Sequence, residues 1–370
     1  MLLTALPLLG IAVALAAVVS HWSPVESRLP AKMPGLRYGL WGLIIALPGI
    51  VSWGLLATDI QQPLADFFPY GTGQHNDQIS YYAQIEAIRT VGLNGGYHAQ
   101  DGQIAPAGVP FGLHGPIYVG TYGLLARGFG WGTSAAPLYN IGLLTTALAL
   151  WVVTLRPTIR QSALTLGALL TFWHLPIFTF FVNQEPLAYA VAIVCAALVM
   201  ISIRYEKPPW WVAVALLILF AYASLQRFTW SVTVPPLLVL LNRNGGRWRW
   251  AVAFAVGLLW MPVAFMLFRQ VAPYPVDILR ETGASTDTSL LASLWSVITP
   301  VWTTLMTNTS YYLDFSEWKY LPDVITTIQL IVLAVGLVVI MSRWREQRTA
   351  VGYFVVLTVI LYFAVQYTFA

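Results

Sequence analysis

An all-α, polytopic transmembrane protein is the fold class predicted for these 370 residues, and three observations predict it. The chain is 58% hydrophobic and only 9% charged. It contains many apolar runs long enough to cross a hydrocarbon layer of about 30 Å, which takes ~20 residues. Those runs are continuous and do not alternate with a period of two, which excludes an outer-membrane barrel. No stretch reads as a soluble domain, so residues 1–370 are expected to form a single transmembrane domain. The single cysteine, Cys195, lies inside an apolar run, allows no intrachain disulfide and reads as a small buried hydrophobe.

In chain order, the first run covers residues 1–20 with no Lys or Arg ahead of it. A secretory signal peptide needs a positive start and a small-residue cleavage site, so a retained helix with its N-terminus outside is expected. A short loop with Arg28, Lys32 and Arg37 leads to a second run at 36–57. A long polar loop follows at 58–115, with five acids (Asp59, Asp66, Asp77, Glu86, Asp101) and one base, Arg89. Beyond it come a glycine-interrupted piece at 116–131 and runs at 137–155, 162–181, 186–203, 210–226, 228–241, 250–268, 290–308, 324–341 and 350–368. These are twelve candidate segments, of which about ten to twelve are expected to be membrane segments.

Lys and Arg collect on the cytoplasmic side of membrane proteins, and this orients the segments. Placing the loops at 21–37, 156–160, 204–209, 242–249 and 342–349 inside puts thirteen of the nineteen basic residues there, whereas twelve of the fifteen acids fall outside, all but Glu26, Glu206 and Glu346. The long loop, the Asn183–Glu185 turn and residues 270–323 then share the external face, with Arg127 unassigned. Between the external loop and the basic Arg156 loop the chain must cross an odd number of times, yet it offers two apolar pieces. The piece at 116–131, with Gly120, Gly123, Gly128, Gly130 and Arg127, is expected to be short, re-entrant or interfacial. Pro300 raises the same question for 290–308.

Within the long loop, Asn76 or Asp77 can cap a helix in which Tyr81, Ile85 and Ile88 fall at i, i+4 and i+7, with Gln84, Glu86 and Arg89 turned elsewhere. The pattern predicts an amphipathic helix at the outer membrane surface. A loop with Gly92, Asn94, Gly95, Gly96, Gly102 and Gly108 follows; loops of that length are usually functional or disordered, and the aromatics and histidines scattered through this one argue for order. His75, His98 and His114 stand 23 and 16 residues apart, which is no compact metal-ligand spacing. Neither a P-loop nor a Gly-x-Gly-x-x-Gly fingerprint appears, which disfavours a cytosolic nucleotide-sugar donor, and nothing points to nucleic acid.

The order of features over roughly the first 205 residues resembles the GT-C superfamily of integral membrane glycosyltransferases. An acidic residue followed by Ser80-Tyr81-Tyr82 opens the helix of the large loop, His114-Gly115-Pro116-Ile117-Tyr118 opens the next apolar segment, and Asn183-Gln184-Glu185-Pro186-Leu187 forms an external turn. The resemblance implies transfer of a sugar from a polyprenyl-phosphate carrier to a lipid, glycan or protein acceptor at the external face, in a plasma (inner) membrane. It implies Asp77 as the catalytic acid position of the first external loop and Glu185 as the second acidic position, with Tyr81, Tyr82 and His114 near the substrate. Gln78 stands where many members have a second acid, so no obligatory cofactor is called for and a divalent metal is left open.

The chemistry fits these residue types on its own terms. An acceptor hydroxyl needs a carboxylate base, and a leaving phosphate needs a cation rather than a strong acid. Arg227, between two apolar runs, is the first candidate for that cation, because a charge near a helix centre costs ~2.5–3.5 kcal/mol unless paired. Arg269 and Arg280 are further candidates. Plainer readings stand beside these. Asp77 fits a helix cap, with Asp59 and Asp66 rivals for the base. Glu185 before Pro186 fits a helix start, Arg227 fits a snorkelling side chain, and most tryptophans fit interfacial belts. A transporter or lipid flippase, and a non-catalytic subunit using the loop for docking, remain alternatives.

Overall fold

The computed structural model describes residues 34–56, 76–92, 116–132, 135–171, 179, 182–204, 209–242 and 244–271. The runs expected at 1–20, 290–308, 324–341 and 350–368 lie outside them, as do His114 and Arg280. Among the described residues every regular element is helical. Four of the described helices are long and apolar enough to cross a membrane, over Gly35–Trp53, Ala135–Leu155, Glu185–Ser202 and Arg247–Leu267. Their outward faces carry large apolar side chains, such as Trp53 at 75% exposure, which suits a hydrocarbon surround better than water.

The described helices fall into two compact units, divided after Ile201. The first holds α1 (Pro34–Leu56), α2 (Asn76–Val91), α3 (Pro116–Phe129), α4 (Ala135–Leu155), α5 (Ile159–Thr171) and all but the last three residues of α6 (Glu185–Arg204). α1 and α4 pack antiparallel around Ile44, Leu47, Val51, Leu148 and Val152, and α5 closes the cluster with Leu166 and Leu170. Their direction is fixed at one end. Arg37 near the start of α1 donates from Nη2 to the Arg156 carbonyl (2.6 Å) and from Nε to the Pro157 carbonyl (3.0 Å), and Trp41 Nε1 donates to the same Pro157 oxygen. The basic ends at 37 and 156, expected on one face, therefore meet. Arg156 terminates α4 in the left-handed region, φ 48°, and its amide donates to Val152 O.

α5 starts at Ile159, earlier than the run at 162–181 suggested, because Thr158 and Gln161 form a reciprocal capping box. The Thr158 amide donates to Gln161 Oε1 (3.0 Å) and the Gln161 amide to Thr158 Oγ1 (3.3 Å). α6 begins at Glu185 with Pro186 in its first turn, where a missing N–H costs nothing, and its Ala190 packs on Leu144 and Ala147 of α4.

α2 forms where the polar cap and the apolar stripe place it, but the stripe is covered by protein. Tyr81, Ile85 and Ile88 are all under 5% exposed and lie against α3. Gln84, expected to turn elsewhere, is 3% exposed on the same face, because i+3 shares a helix face with i and i+4. Burying Ile85 and Ile88 contributes roughly 1.5–3 kcal/mol each. The two helices approach closely at Gly123, where an added Cβ would stand 2.4 Å from Ile88 Cγ2. α2 ends at Gly92, φ 86°, and Arg127 of α3 donates from Nε to the last-turn carbonyls of Ile88 and Arg89, both at 3.2 Å, placing a cation at the negative helix end. At 14 residues α3 is not of spanning length, in contrast to α4, as the glycine-interrupted piece suggested.

The second unit holds α7 (Trp210–Gln226), a 3-10 helix (Phe228–Thr233), α8 (Val234–Leu241) and α9 (Arg247–Val271). The run expected at 228–241 is thus not one α-helix. Pro235 and Pro236 supply no amide hydrogens to carry the ladder across, so the helix restarts at Val234 with both prolines in its first turn. α8 and α9 form an antiparallel hairpin. Trp250 Nε1 donates to Asn242 O at 3.0 Å, and a Cβ on Gly257 would meet Pro235 Cα at 2.4 Å.

Candidate functional site

The end of the first unit remote from Arg37 and Arg156 carries a connected set of aromatic and polar side chains. Asn140 stands fifteen residues before the Leu155 end of α4, about 22 Å along the helix. Six rings from α2, α3, α4 and the α3–α4 turn touch in sequence. Tyr81 meets Tyr118 edge-on (5.0 Å between centroids), Tyr118 meets Tyr122 (4.7 Å), Tyr122 meets Tyr139 (6.2 Å), Tyr139 stacks on Trp131 (6.2 Å), and Trp131 meets Tyr82 (5.2 Å). Tyr81 and Tyr82 are neighbours on α2, so the path closes on itself. Tyr118 and Tyr122 share one face of α3 at i and i+4, fully buried, while Tyr82, Trp131 and Tyr139 are half-buried.

Polar groups run through this aromatic set. The Tyr122 hydroxyl donates to Asn140 Oδ1, and Asn140 Nδ2 donates to the Thr179 carbonyl (2.9 Å), so a fully buried amide joins α3, α4 and residue 179. Buried amides need partners at both ends, and this one has them. The Tyr139 hydroxyl donates to Gly130 O and fastens the turn between α3 and α4. Gln184, 1% exposed, precedes Glu185, and its amide is held by Asn183 Oδ1 at 2.8 Å.

Glu185 opens α6 partly buried, beside this set. Burial first, then the neighbouring Tyr122, Tyr81 and Glu185, push the Tyr118 phenol well above its ordinary range. Glu185, 67 residues later in the chain, is the smallest of these contributions and lies within electrostatic reach of Tyr118. The Tyr118 hydroxyl is fully enclosed and has no hydrogen-bond partner among the described residues. On the outer side of α2, Arg89 donates to Glu86 from Nε (2.7 Å) and Nη2 (2.5 Å), and burial together with Glu86 raises the Tyr82 phenol. That exposed pair is an intrahelical i, i+3 contact.

The residues singled out in the sequence divide accordingly. Tyr81, Tyr82 and Glu185 come together at this end of the first unit. Asp77 lies in the first turn of α2, one turn before Tyr81, with its side chain outside the described residues. Arg227 belongs to the second unit and is not near a helix centre. It is the half-buried extended residue, φ −139° and ψ 120°, between α7 and the 3-10 helix. Its surroundings in the chain are polar and buried, with Ser224, Gln226 and Ser231 all at 0% exposure. Arg269 lies in the last turn of α9, its side chain outside the described residues. Among the described residues no group of three His, Cys, Asp or Glu could hold a metal ion.

Tyr122, Asn140, Trp131, Tyr139 and Gln184 were not singled out in the sequence. A signal existed for two of them, since Asn140 is a polar residue inside an apolar run and Tyr122 repeats Tyr118 at i+4. Chemically, the arrangement offers a carboxylate beside buried phenols and amides, a lining suited to hydroxyl groups rather than to an anion. Comparison of the chain with protein-family models, with curated proteins and with solved structures finds no match, so its chemistry is read from its own residues.

Proposed function

We propose that the chain is a multi-pass membrane glycosyltransferase of GT-C type that moves a sugar from a polyprenyl-phosphate carrier to a lipid, glycan or protein acceptor at the external face. In this reading Asp77 is the base that takes the acceptor proton, and Glu185 assists it or orients the acceptor. Tyr81 and Tyr82 line the sugar site. Arg227 offsets charge on the carrier phosphate, with Arg269, Arg280 and His114 as further contacts. One observation supports the reading above the others. The α2 helix that bears Asp77 packs Tyr81 on Tyr118, and Glu185, about a hundred residues from Asp77, opens α6 within electrostatic reach of the same phenol, at the end of the first unit opposite the basic Arg37 and Arg156 end.

The test is purified full-length protein in nanodiscs with a panel of radiolabelled polyprenyl-phosphate sugars, comparing wild type with Asp77→Asn and Glu185→Gln. Turnover by the wild type, lost in an Asp77→Asn protein that stays monodisperse, supports class and base together. Turnover that survives in Asp77→Asn keeps the class and moves the base to Glu185, Asp59 or Asp66. A wild type that neither consumes any donor nor is protected by one against heat refutes the enzyme reading, in favour of a transporter or a docking subunit.

A further inference from the structure

One end of the second unit carries an exposed collar of tryptophan and arginine. Trp210 and Trp248 are each 78% exposed, Trp211 is 50% exposed, and Arg247 and Arg249 are exposed beside them. The level of these residues follows from the fold. The 3-10 helix reverses the chain, bringing Trp230 back onto Phe220 (6.2 Å between rings), and the α8–α9 hairpin reverses it again, so α9 runs in the direction of α7. Trp260 Nε1 donates to Ser224 Oγ at 3.2 Å and sets the register between the two helices. Trp211 and Arg247 each stand thirteen residues before those partners, so both lie about 20 Å upstream, at one level.

Guanidiniums in the first turn of α9 stand at the end where the helix dipole disfavours cations. Indoles at 78% exposure gain nothing from water, whereas an indole at headgroup depth keeps its ring in apolar surroundings and its N–H wet. No acid occurs among the described residues at this level, 209–211 and 242–250. The collar sits at the start of a helix of spanning length and hydropathy.

We propose that this collar is a binding surface for anionic phospholipid headgroups, the arginines taking the phosphate and the tryptophans fixing the depth of insertion. The proposal is independent of the glycosyltransferase reading and rests on α9 crossing a bilayer. Each guanidinium near an anionic surface is expected to tighten binding about fivefold at low salt.

Native mass spectrometry of the full-length chain, titrated with phosphatidylglycerol or phosphatidylcholine, tests it. The wild type is expected to bind phosphatidylglycerol at least fivefold more tightly. Arg247→Gln/Arg249→Gln removes most of that preference without changing phosphatidylcholine binding. Trp248→Ala weakens both lipids. The control Arg156→Gln/Arg160→Gln, in the basic turn of the first unit, keeps the preference. Equal binding of the two lipids by the wild type overturns the proposal and leaves the collar to an acidic protein partner. A control that loses as much as the collar variant overturns it in favour of diffuse attraction. A chain that fails to float with lipid vesicles overturns the membrane reading as well.

Discussion

The closest helix contact at the candidate site allows a demanding test, the substitution Gly123→Ala. An ideal Cβ on Gly123 stands 2.4 Å from Ile88 Cγ2 and 2.7 Å from Ile88 Cβ, with Ile85 O next at 3.6 Å. Carbon atoms rest at about 3.5–4.0 Å, so α2 must retreat from α3 by roughly 1–1.5 Å, or Ile88 must leave its position. Ile88 is 3% exposed and packed, so the expected cost is that of overpacking, about 1–3 kcal/mol. Thermal unfolding of the purified protein reads it directly. A double-mutant cycle isolates it: in an Ile88→Gly background both offending atoms are gone, the nearest remaining atom is Ile85 O at an ordinary distance, and Gly123→Ala should cost close to nothing. If the added methyl lowers the unfolding temperature equally in both backgrounds, or in neither, the α2–α3 packing described here is wrong. The same variant bears on function. A displacement of about 1 Å at a catalytic group costs roughly a hundredfold in rate, so donor turnover should fall further than stability and recover in the Ile88→Gly background.

Two further outcomes follow from the buried polar set. Asn140→Leu removes the acceptor of the Tyr122 hydroxyl and the donor to the Thr179 carbonyl, both buried, and is expected to cost about 2–4 kcal/mol, read as loss of monodisperse protein on mild heating; Asn140→Asp keeps the acceptor for Tyr122 but sets a carboxylate oxygen against the Thr179 carbonyl in a fully buried site, and should cost at least as much at neutral pH. Burial raises the Tyr118 phenol well above the ordinary value for tyrosine, about 10, so the folded state holds a proton that the unfolded state releases as pH rises past about 10. The stability this represents is fully present below pH 10 and lost above it, and Tyr118→Phe should flatten the alkaline limb of a stability-against-pH curve while leaving the neutral region unchanged.

How far the sequence reached can be judged helix by helix. The start of α2 was legible because Asn76 and Asp77 precede an i, i+4, i+7 stripe, two local signals that agree. What covers the stripe was not legible, since an amphipathic helix presents the same face to a bilayer surface or to another helix. The early start of α5 was legible in Thr158-x-x-Gln161 and was missed because the apolar run begins later. The break at Arg227 was half-legible. Pro235-Pro236 announces an interruption, but apolar composition on both sides of Arg227 suggested two plain runs with the charge near a helix centre.

By itself, the sequence determined that the described elements are helical and where most of them start, because these properties depend on periodicity, caps and composition within ten to twenty neighbouring residues; it pointed to ten to twelve membrane segments, and four of the described helices have the length and apolarity of a span. Only the tertiary structure decided that Tyr81 and Tyr118 would meet, that Glu185 would stand beside them, and that Asn140 would bridge Tyr122 to residue 179. Those contacts join residues from 18 to more than 60 positions apart. They depend on how α3 fits α2 at Gly123 and how α4 is set by the Arg37 bonds at its far end, a matter of packing shape that no local pattern encodes.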